Sequence, residues 1–439
     1  HRDLHLSLRR QRQMCIRDSS HPIPPADLGY LVKYLKRMNY SVTFLDLIEG
    51  DEKFNLVKRI KASHFIIKPG IKSFPFCEKL AAEIKGEKKA KVIFVGPVAK
   101  VFLRRLVKNK NIDSIAYGEY EFVLPRLLKN TPKIINAPLR KDISSIGTFD
   151  RSIFHKNYFI WYPTKKVRRK KFGFILFSRG CPHSCYFCSE VERASIGKVV
   201  RSRDAHDVIK EIKYLKSLGV NTVYFFDDNF LVDKKNAEEL LELLSKNNFN
   251  IEFVCQTRPD YINERVAKKL RRAGFSTVCL GIESFSDRSL YNMNKGIDSK
   301  TCKRAVKILK RFKFRVVIFL IIGTPNETIL DVKKTFNTTL KLKPDLIQVS
   351  FFTPLPGSPI FEKLKIGPLK EWGIHDNIPI NLSKIPTEIL PMIQRLFYLK
   401  FYLLSSAFFR LILDTPIFLL NAKIYLILIK EFLNFLLGR

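Results

Sequence analysis

The sequence predicts an α/β protein made of two successive parallel-sheet units and a helical C-terminal tail. Three observations carry this. Between about residues 20 and 140, short apolar runs alternate with segments of helical period. From 172 to 364 the alternation restarts and gives six strand–helix units. From 365 onward strand signals stop, and from Ile385 the chain becomes rich in Leu, Ile and Phe. Strands alternating with helices are the pattern of a parallel sheet with crossover helices. A length of 439 residues suits several domains, and 46% hydrophobic residues with only 19 Gly and 22 Pro supply packed cores.

In the first unit, residues 20–140, Leu28 to Met38 is predicted helical because Leu28, Leu31, Val32 and Leu35 form one stripe. Strands are predicted at Ser41–Asp46, His64–Ile67, Lys91–Val95 and Ser114–Tyr117. The third ends at Gly96-Pro97, and the fourth is followed by Gly118-Glu119. The result is a Rossmann-like, doubly wound pattern whose opening strand, expected before Pro22, is missing. Residues 1–19, including Arg9-Arg-Gln-Arg-Gln-Met-Cys-Ile-Arg-Asp-Ser19, show no apolar period that fits the alternation of residues 20–140. They resemble a translated sequencing adapter and are read as non-native. On that reading the native start is absent. Residues 141–171 read as a linker that includes the basic run Lys165-Lys-Val-Arg-Arg-Lys-Lys171.

In the second unit, residues 172–364, Phe174–Phe177 reads as a buried strand. Further strands are predicted at Thr222–Phe226, Ile251–Gln256, Thr277–Gly281, Val316–Ile322 and Leu346–Ser350. Helices fall at His206–Leu218, Lys234–Lys246 and Ser299–Lys310. Six units of this kind fit a partial (β/α)6 barrel, in which sites lie at the carboxyl ends of strands. Those ends carry Asp227-Asp228-Asn229, Thr257-Arg258-Pro-Asp260, Gly281-Ile-Glu283-Ser284 and Gly323-Thr-Pro-Asn-Glu327.

In the tail, 365–439, no uncharged apolar stretch reaches the roughly 18 residues of a membrane span. Arg410, Asp414, Lys423 and Lys430 interrupt it. Helices capping the barrel and a basic amphipathic helix on a bilayer surface both fit. The expected location is cytoplasmic, with peripheral contact at the inner face of the membrane through 385–439 as the second option.

The first predicted strand of the second unit runs into Ser178-Arg-Gly-Cys181-Pro-His-Ser-Cys185-Tyr-Phe-Cys188-Ser189. Three thiolates in a C-x3-C-x2-C loop can hold three irons of a [4Fe-4S] cluster and leave the fourth open. Iron–sulfur clusters usually have four cysteines, so three suggest a cluster that does chemistry. Zinc is the competing reading. It wants four ligands, often as paired hooks, and only His183 is near. Cys255 and Cys279 lie singly in apolar runs and read as buried core thiols, while the scattered cysteines overall suit a reducing compartment.

The C-x3-C-x2-C spacing, with Phe187 before the last cysteine, resembles the signature of the radical S-adenosylmethionine (SAM) superfamily. The resemblance implies that Cys181, Cys185 and Cys188 bind the cluster, and that its open iron chelates SAM. An electron from a donor such as flavodoxin or ferredoxin then cleaves SAM to a 5′-deoxyadenosyl radical. By the same resemblance Glu283 is a candidate for the SAM ribose, and Asp227 or Asp228 for the methionyl amine. Gly323 and Phe187 are candidates for adenine, and Arg258 and Glu327 for further cofactor contacts. Each carboxylate alone could equally be a helix cap or surface charge, and Arg258 a structural ion pair.

A Rossmann-like unit before such a barrel is similar to the cobalamin-binding class of the superfamily, matched also by Lys91-Val-Ile-Phe-Val-Gly-Pro97, Tyr117-Gly-Glu-Tyr-Glu121 and Thr353-Pro-Leu-Pro-Gly-Ser-Pro359. Cobalamin is then an expected further cofactor. Many members carry D-x-H-x-x-G, whose His ligates cobalt. Here Asp204-Ala-His206 and Asp3-Leu-His5 begin that way but lack the Gly, and Asp204 reads better as a helix N-terminus. The implied activity is cobalamin-dependent methylation, or a related C–C or C–H modification, of a small or lipid-like substrate.

The formal charge is +37 and drops to +34 without the five Arg and two Asp of residues 1–19. Solvated lysine-rich helix faces account for it, and an anionic partner is the second reading. Nucleic acid is disfavoured. A tRNA methylthiotransferase-like enzyme would resemble proteins with a second cysteine-bearing N-terminal domain, whereas residues 20–140 hold only Cys77. A non-catalytic cobalamin- or membrane-binding module is the remaining alternative, opposed by the intact triplet.

Overall fold

A computed structural model describes residues 3–8, 26–46, 57, 59–70, 73–150, 172–188, 198–365 and 380–404. Its first sheet has six parallel strands: β1 (Asp3–Leu8), β2 (Ser41–Asp46), β3 (His64–Lys68), β4 (Lys91–Val95), β5 (Ser114–Gly118) and β6 (Ile134–Ala137). Their order is β2-β1-β3-β4-β5-β6, the doubly wound order with its switch point between β1 and β3. Separate apolar clusters pack on its two faces. Leu31, Ile66, Ile93 and Ala116 lie in one, and Phe65, Leu80, Phe94 and Ile115 in the other.

Two expectations change here. The opening strand is not missing, for Asp3–Leu8 pairs with both β2 and β3. Asp-Leu-His-Leu-Ser-Leu alternates with period two, the mark of a strand, and the Arg-rich stretch after it obscured the pattern. The expected linker also begins later than residue 141. Ile143, Ile146 and Phe149 are buried, with the Phe149 ring edge-on to Tyr30 at 5.5 Å and Asp150 bonded to Lys36. The basic run 165–171 lies outside the described residues.

The second sheet is also parallel and six-stranded, ordered β14-β13-β12-β11-β10-β7. Its strands are β7 (Phe172–Ile175), β10 (Thr222–Phe225), β11 (Glu252–Thr257), β12 (Phe275–Glu283), β13 (Arg315–Ile322) and β14 (Leu346–Phe351). A separate two-residue ladder joins β8 (Ser178–Arg179) to β9 (Arg201–Ser202). One residue from each of the six strands (Phe174, Tyr224, Val254, Cys279, Val317 and Leu346) forms an inner apolar cluster. The opposite faces pack on the helices around Phe225, Phe253, Cys255 and Val316. Cys255 and Cys279 are therefore core thiols, as expected, and burial pushes both thiol pKa values up. Asp204 caps the helix Ala205–Ser217, accepting from the backbone of His206 and Asp207.

In the tail, the helix Ile389–Leu404 covers the edge strand β14. Val349 N–H donates to Tyr398 Oη at 2.8 Å, and Gln394 Nε2 donates to Val349 O at 2.8 Å. Leu390 and Phe401 are fully buried. This part of the tail caps the sheet, and side chains supply the hydrogen bonds that an edge strand otherwise exposes. Among the described residues no helix is long and apolar enough to cross a membrane. The bilayer-surface option beyond 404 lies outside them.

Candidate active site at the cysteine loop

The cysteine loop leaves the carboxyl end of β7. The expected strand Phe174–Phe177 sits two residues earlier, at Phe172–Ile175, because beyond Ile175 the chain departs from β10 to form β8. Asp227, after β10, braces that departure. Its carboxylate accepts from the Ser178 backbone, from Ser178 Oγ at 2.6 Å and from Phe177 N at 3.4 Å. Burial pushes Asp227 up to about 7, opposed by these bonds.

The cysteines are set by bonds to the residues between them. His183 Nε2 lies 3.1 Å from Tyr261 Oη. Asn294 Nδ2 donates to Ser184 O at 2.8 Å, and Tyr186 N–H donates to Met293 O at 2.9 Å. The Cys188 N–H donates to Cys185 O at 3.2 Å. Cys181 and Cys185 are buried and Cys188 is half-buried.

Two cations stand beside the thiols. Arg258, immediately after β11, places Nη1 3.6 Å from Cys185 Sγ. Its other donors hold Asp260 in a two-point pair and the Lys295 carbonyl at 2.9 Å. Lys295 is the second cation. Its ammonium lies 2.9 Å from Glu283 Oε1 and 5.5 Å from the centre of the Phe187 ring. Burial acts to lower the Lys295 pKa, but Glu283 and Cys185 outweigh it and hold the ammonium charged.

Glu283 is aimed by a bulge. The β12–β13 register shifts between Gly281 and Glu283, and Glu283 has φ 65°. Bulges next to active sites re-aim side chains in this way. Gly281 makes room, since a Cβ there would lie 2.9 Å from Glu283 Oε1 and 3.4 Å from Lys295 Nζ.

The structure thus brings Cys181, Cys185, Phe187, Arg258 and Glu283 into one constellation, and it sorts the remaining candidates. Asp228 is exposed at the end of β10. Asp227 and Glu327 are both buried with their carboxylates already engaged, Asp227 by Phe177 and Ser178 and Glu327 chiefly by its own loop. Glu327 accepts from Gly323 N at 2.6 Å, Thr324 N at 3.2 Å and Ser289 Oγ at 3.1 Å. Gly323, at φ 79°, packs on Leu390 from the tail helix. The segment Met293-Asn294-Lys295 escaped sequence reasoning. Its signal, an Asn-Lys-Gly run after a short helix, looks like a turn until the fold lays it against the loop.

Among the described residues no three His, Cys, Asp or Glu side chains are placed around a single metal ion. A cluster asks for something else, because each thiolate binds its own iron across a cubane. Three thiols on one short loop, with Arg258 and Lys295 offsetting thiolate charge, fit that demand. Two buried atoms at strand ends, Asn229 Nδ2 and Thr324 Oγ1, have no hydrogen-bond partner among the described residues. Buried polar groups are rarely left so, and a polar ligand over the strand ends would satisfy them.

Residues 175–339 match the Radical SAM superfamily, so this part of the chain is a radical SAM domain. It is 30% identical over 299 residues to an uncharacterised methyltransferase of Pyrococcus horikoshii, covering 66% of this chain and 64% of that protein. It is 26% identical over 377 residues to the anaerobic magnesium-protoporphyrin IX monomethyl ester cyclase of Rubrivivax gelatinosus, covering 78% and 66%. The chain thus spans just under two thirds of the length of these relatives. In fold it is similar to the radical S-adenosylmethionine methyltransferase TsrM of Kitasatospora setae, with TM-score 0.65, 18% identity and coverage of 81% and 74%. A second structure of TsrM contains cobalamin and a [4Fe-4S] cluster.

Proposed function

We propose that this chain is a radical SAM enzyme that holds a [4Fe-4S] cluster on Cys181, Cys185 and Cys188. Its reaction would be cobalamin-dependent methyl transfer, or a related C–C or C–H modification, on a small or lipid-like substrate. The observation that carries the reading is the triplet held at the strand ends beside Arg258 and the Glu283–Lys295 pair. When bound, the cluster supplies the electron that cleaves SAM to a 5′-deoxyadenosyl radical.

The chain's own residues bind and orient. Arg258 and Lys295 offset thiolate charge and face a zwitterionic ligand with cations. Glu283, held by Lys295, offers a carboxylate to ribose hydroxyls. Phe187 and Gly323 border the adenine side, and exposed Asp228 is the remaining carboxylate for the methionyl amine. The inner apolar cluster and the tail helix close the sheet from below and from its edge. The first sheet has the doubly wound order of a cofactor-binding unit, but the carboxyl ends of β3, β4 and β5 carry no histidine among the described residues.

Anaerobic reconstitution with iron and sulfide, followed by dithionite and SAM, tests the reading. 5′-Deoxyadenosine is expected. A fully loaded protein that makes none, with SAM and reductant in excess, would defeat it. A visible spectrum after incubation with hydroxocobalamin and gel filtration tests the second cofactor.

A further inference from the structure

We propose that Glu119 and Glu121 of the first sheet position the cysteine loop through Arg179 and Arg201, an inference that rests on the cluster reading. Gly118, at φ 81°, ends β5 where a Cβ would strike the Ala137 carbonyl. The chain then turns at once into a short 3-10 helix, Tyr120–Phe122. This puts two carboxylates at the carboxyl end of the first sheet, both buried.

Arg179 lies two residues before Cys181, on β8. Arg201 lies directly opposite it on β9. Like charges facing each other across a ladder repel, and a ladder of two residues has little stability of its own. Glu119 resolves the conflict. Its Oε1 accepts from Arg179 Nη1 at 3.2 Å and from Arg201 Nη1 at 2.7 Å. Its Oε2 accepts from the Arg140 backbone, whose carbonyl accepts from Arg201 at 2.8 Å. Glu121 pairs with the other terminal nitrogen of Arg179.

All four side chains are at most 7% exposed, so two carboxylates balance two guanidiniums away from water. Burial acts to lower the Arg179 pKa, but Glu121 and Glu119 outweigh it. The stem of the cysteine loop is therefore charge-balanced only when the first sheet is docked. A buried guanidinium that loses its partner must move to find water or another acceptor. Movement of Arg179 carries Gly180 and Cys181 with it. These four are positioning residues, none of them among the groups proposed to face SAM.

The test uses the full-length chain with its cluster reconstituted. Two readouts are the rate at which a ferrous chelator removes iron, and the low-temperature EPR spectrum of the reduced cluster with SAM added. Glu121→Gln is expected to assemble the cluster, release iron at least fivefold faster and alter the spectrum. Arg179→Gln, alone and combined with Glu121→Gln, completes a cycle in which the double change is expected to speed release by less than the product of the two single effects, since both break the same pair. Arg179→Lys keeps the charge but not the fork and should fall between, which serves if Glu121→Gln does not fold. Wild-type release and spectra in both Glu121→Gln and Arg179→Lys would overturn the proposal, as would single effects that multiply independently in the double variant. A wild-type chain that takes up no cluster would instead sink the reading on which it rests.

Discussion

The Lys295 ammonium lies 2.9 Å from Glu283 Oε1, and the two residues are among the few charged pairs buried at the strand ends. The pair couples the bulge of β12 to the cysteine loop through Phe187 and Cys185. Lys295→Met should leave Glu283 buried and unpaired, at a cost of about 3–5 kcal/mol. Urea unfolding of the cluster-free protein measures this. Adding Glu283→Gln to the Lys295→Met variant should restore at least half of the stability while SAM binding stays at least tenfold weak. Unchanged stability and SAM affinity in Lys295→Met would show that the pair does neither job.

On the proposed reading the cysteines divide into cluster ligands and core. Cys181→Ala, Cys185→Ala or Cys188→Ala should each reduce iron bound after reconstitution from about four per chain to a small fraction of that. Cys255→Ala, in the helix-facing core, should keep the full complement. Iron and sulfide analysis separates the two groups, and a Cys185→Ala protein with full iron would contradict the assignment.

Glu327 makes stability depend on pH. Burial pushes its carboxyl from 4.5 up to about 7, opposed by the Gly323 and Thr324 N–H groups and Ser289. Between those values the folded chain holds a proton that the unfolded chain has lost. Stability from this group is therefore full below pH 4.5 and declines as pH rises through about 7. The change is at most about 3.4 kcal/mol at 1.36 kcal/mol per unit. Urea midpoints from pH 4.5 to 8 should fall less steeply in Glu327→Gln than in the wild type. Parallel curves would argue against this assignment.

Tyr398 tests the cap on the sheet edge. Tyr398→Phe removes the acceptor for the buried Val349 N–H, at a cost of about 1–3 kcal/mol. Thermal unfolding should show the loss, and iron binding should be untouched. A variant as stable as the wild type would mean that water reaches this edge.

Legibility tracked periodicity. β2, β3, β4, β5 and the barrel strands lie within about two residues of expectation, because each is a bounded apolar run with helices between. β6 was missed, being four residues long and mostly accessible. β1 was set aside because its alternation occupies only six residues beside an Arg-rich stretch. Both kinds of miss come from short elements whose strand character depends on neighbours already in place.

The candidate site divided the same way. Cys181, Cys185 and Cys188 were visible as proposed cluster ligands because the C-x3-C-x2-C spacing is local, on one loop. Arg258 and Glu283 were visible as polar residues at the ends of strands. That Asp227 and Glu327 turn inward was not visible, because whether a carboxylate meets solvent, ligand or its own loop is decided by backbone direction.

By itself the sequence carried the proposed class of chemistry and most of the sheet architecture. Both rest on residue type and short-range period, which survive without the third dimension. Only the tertiary structure decided that Lys295 pairs with Glu283 and lies beside Cys185, that the tail helix seals β14, and that Glu119 and Glu121 grip Arg179 and Arg201. Those are buried contacts between distant segments, and their energy exists only once folding has excluded water and left each charge a single partner.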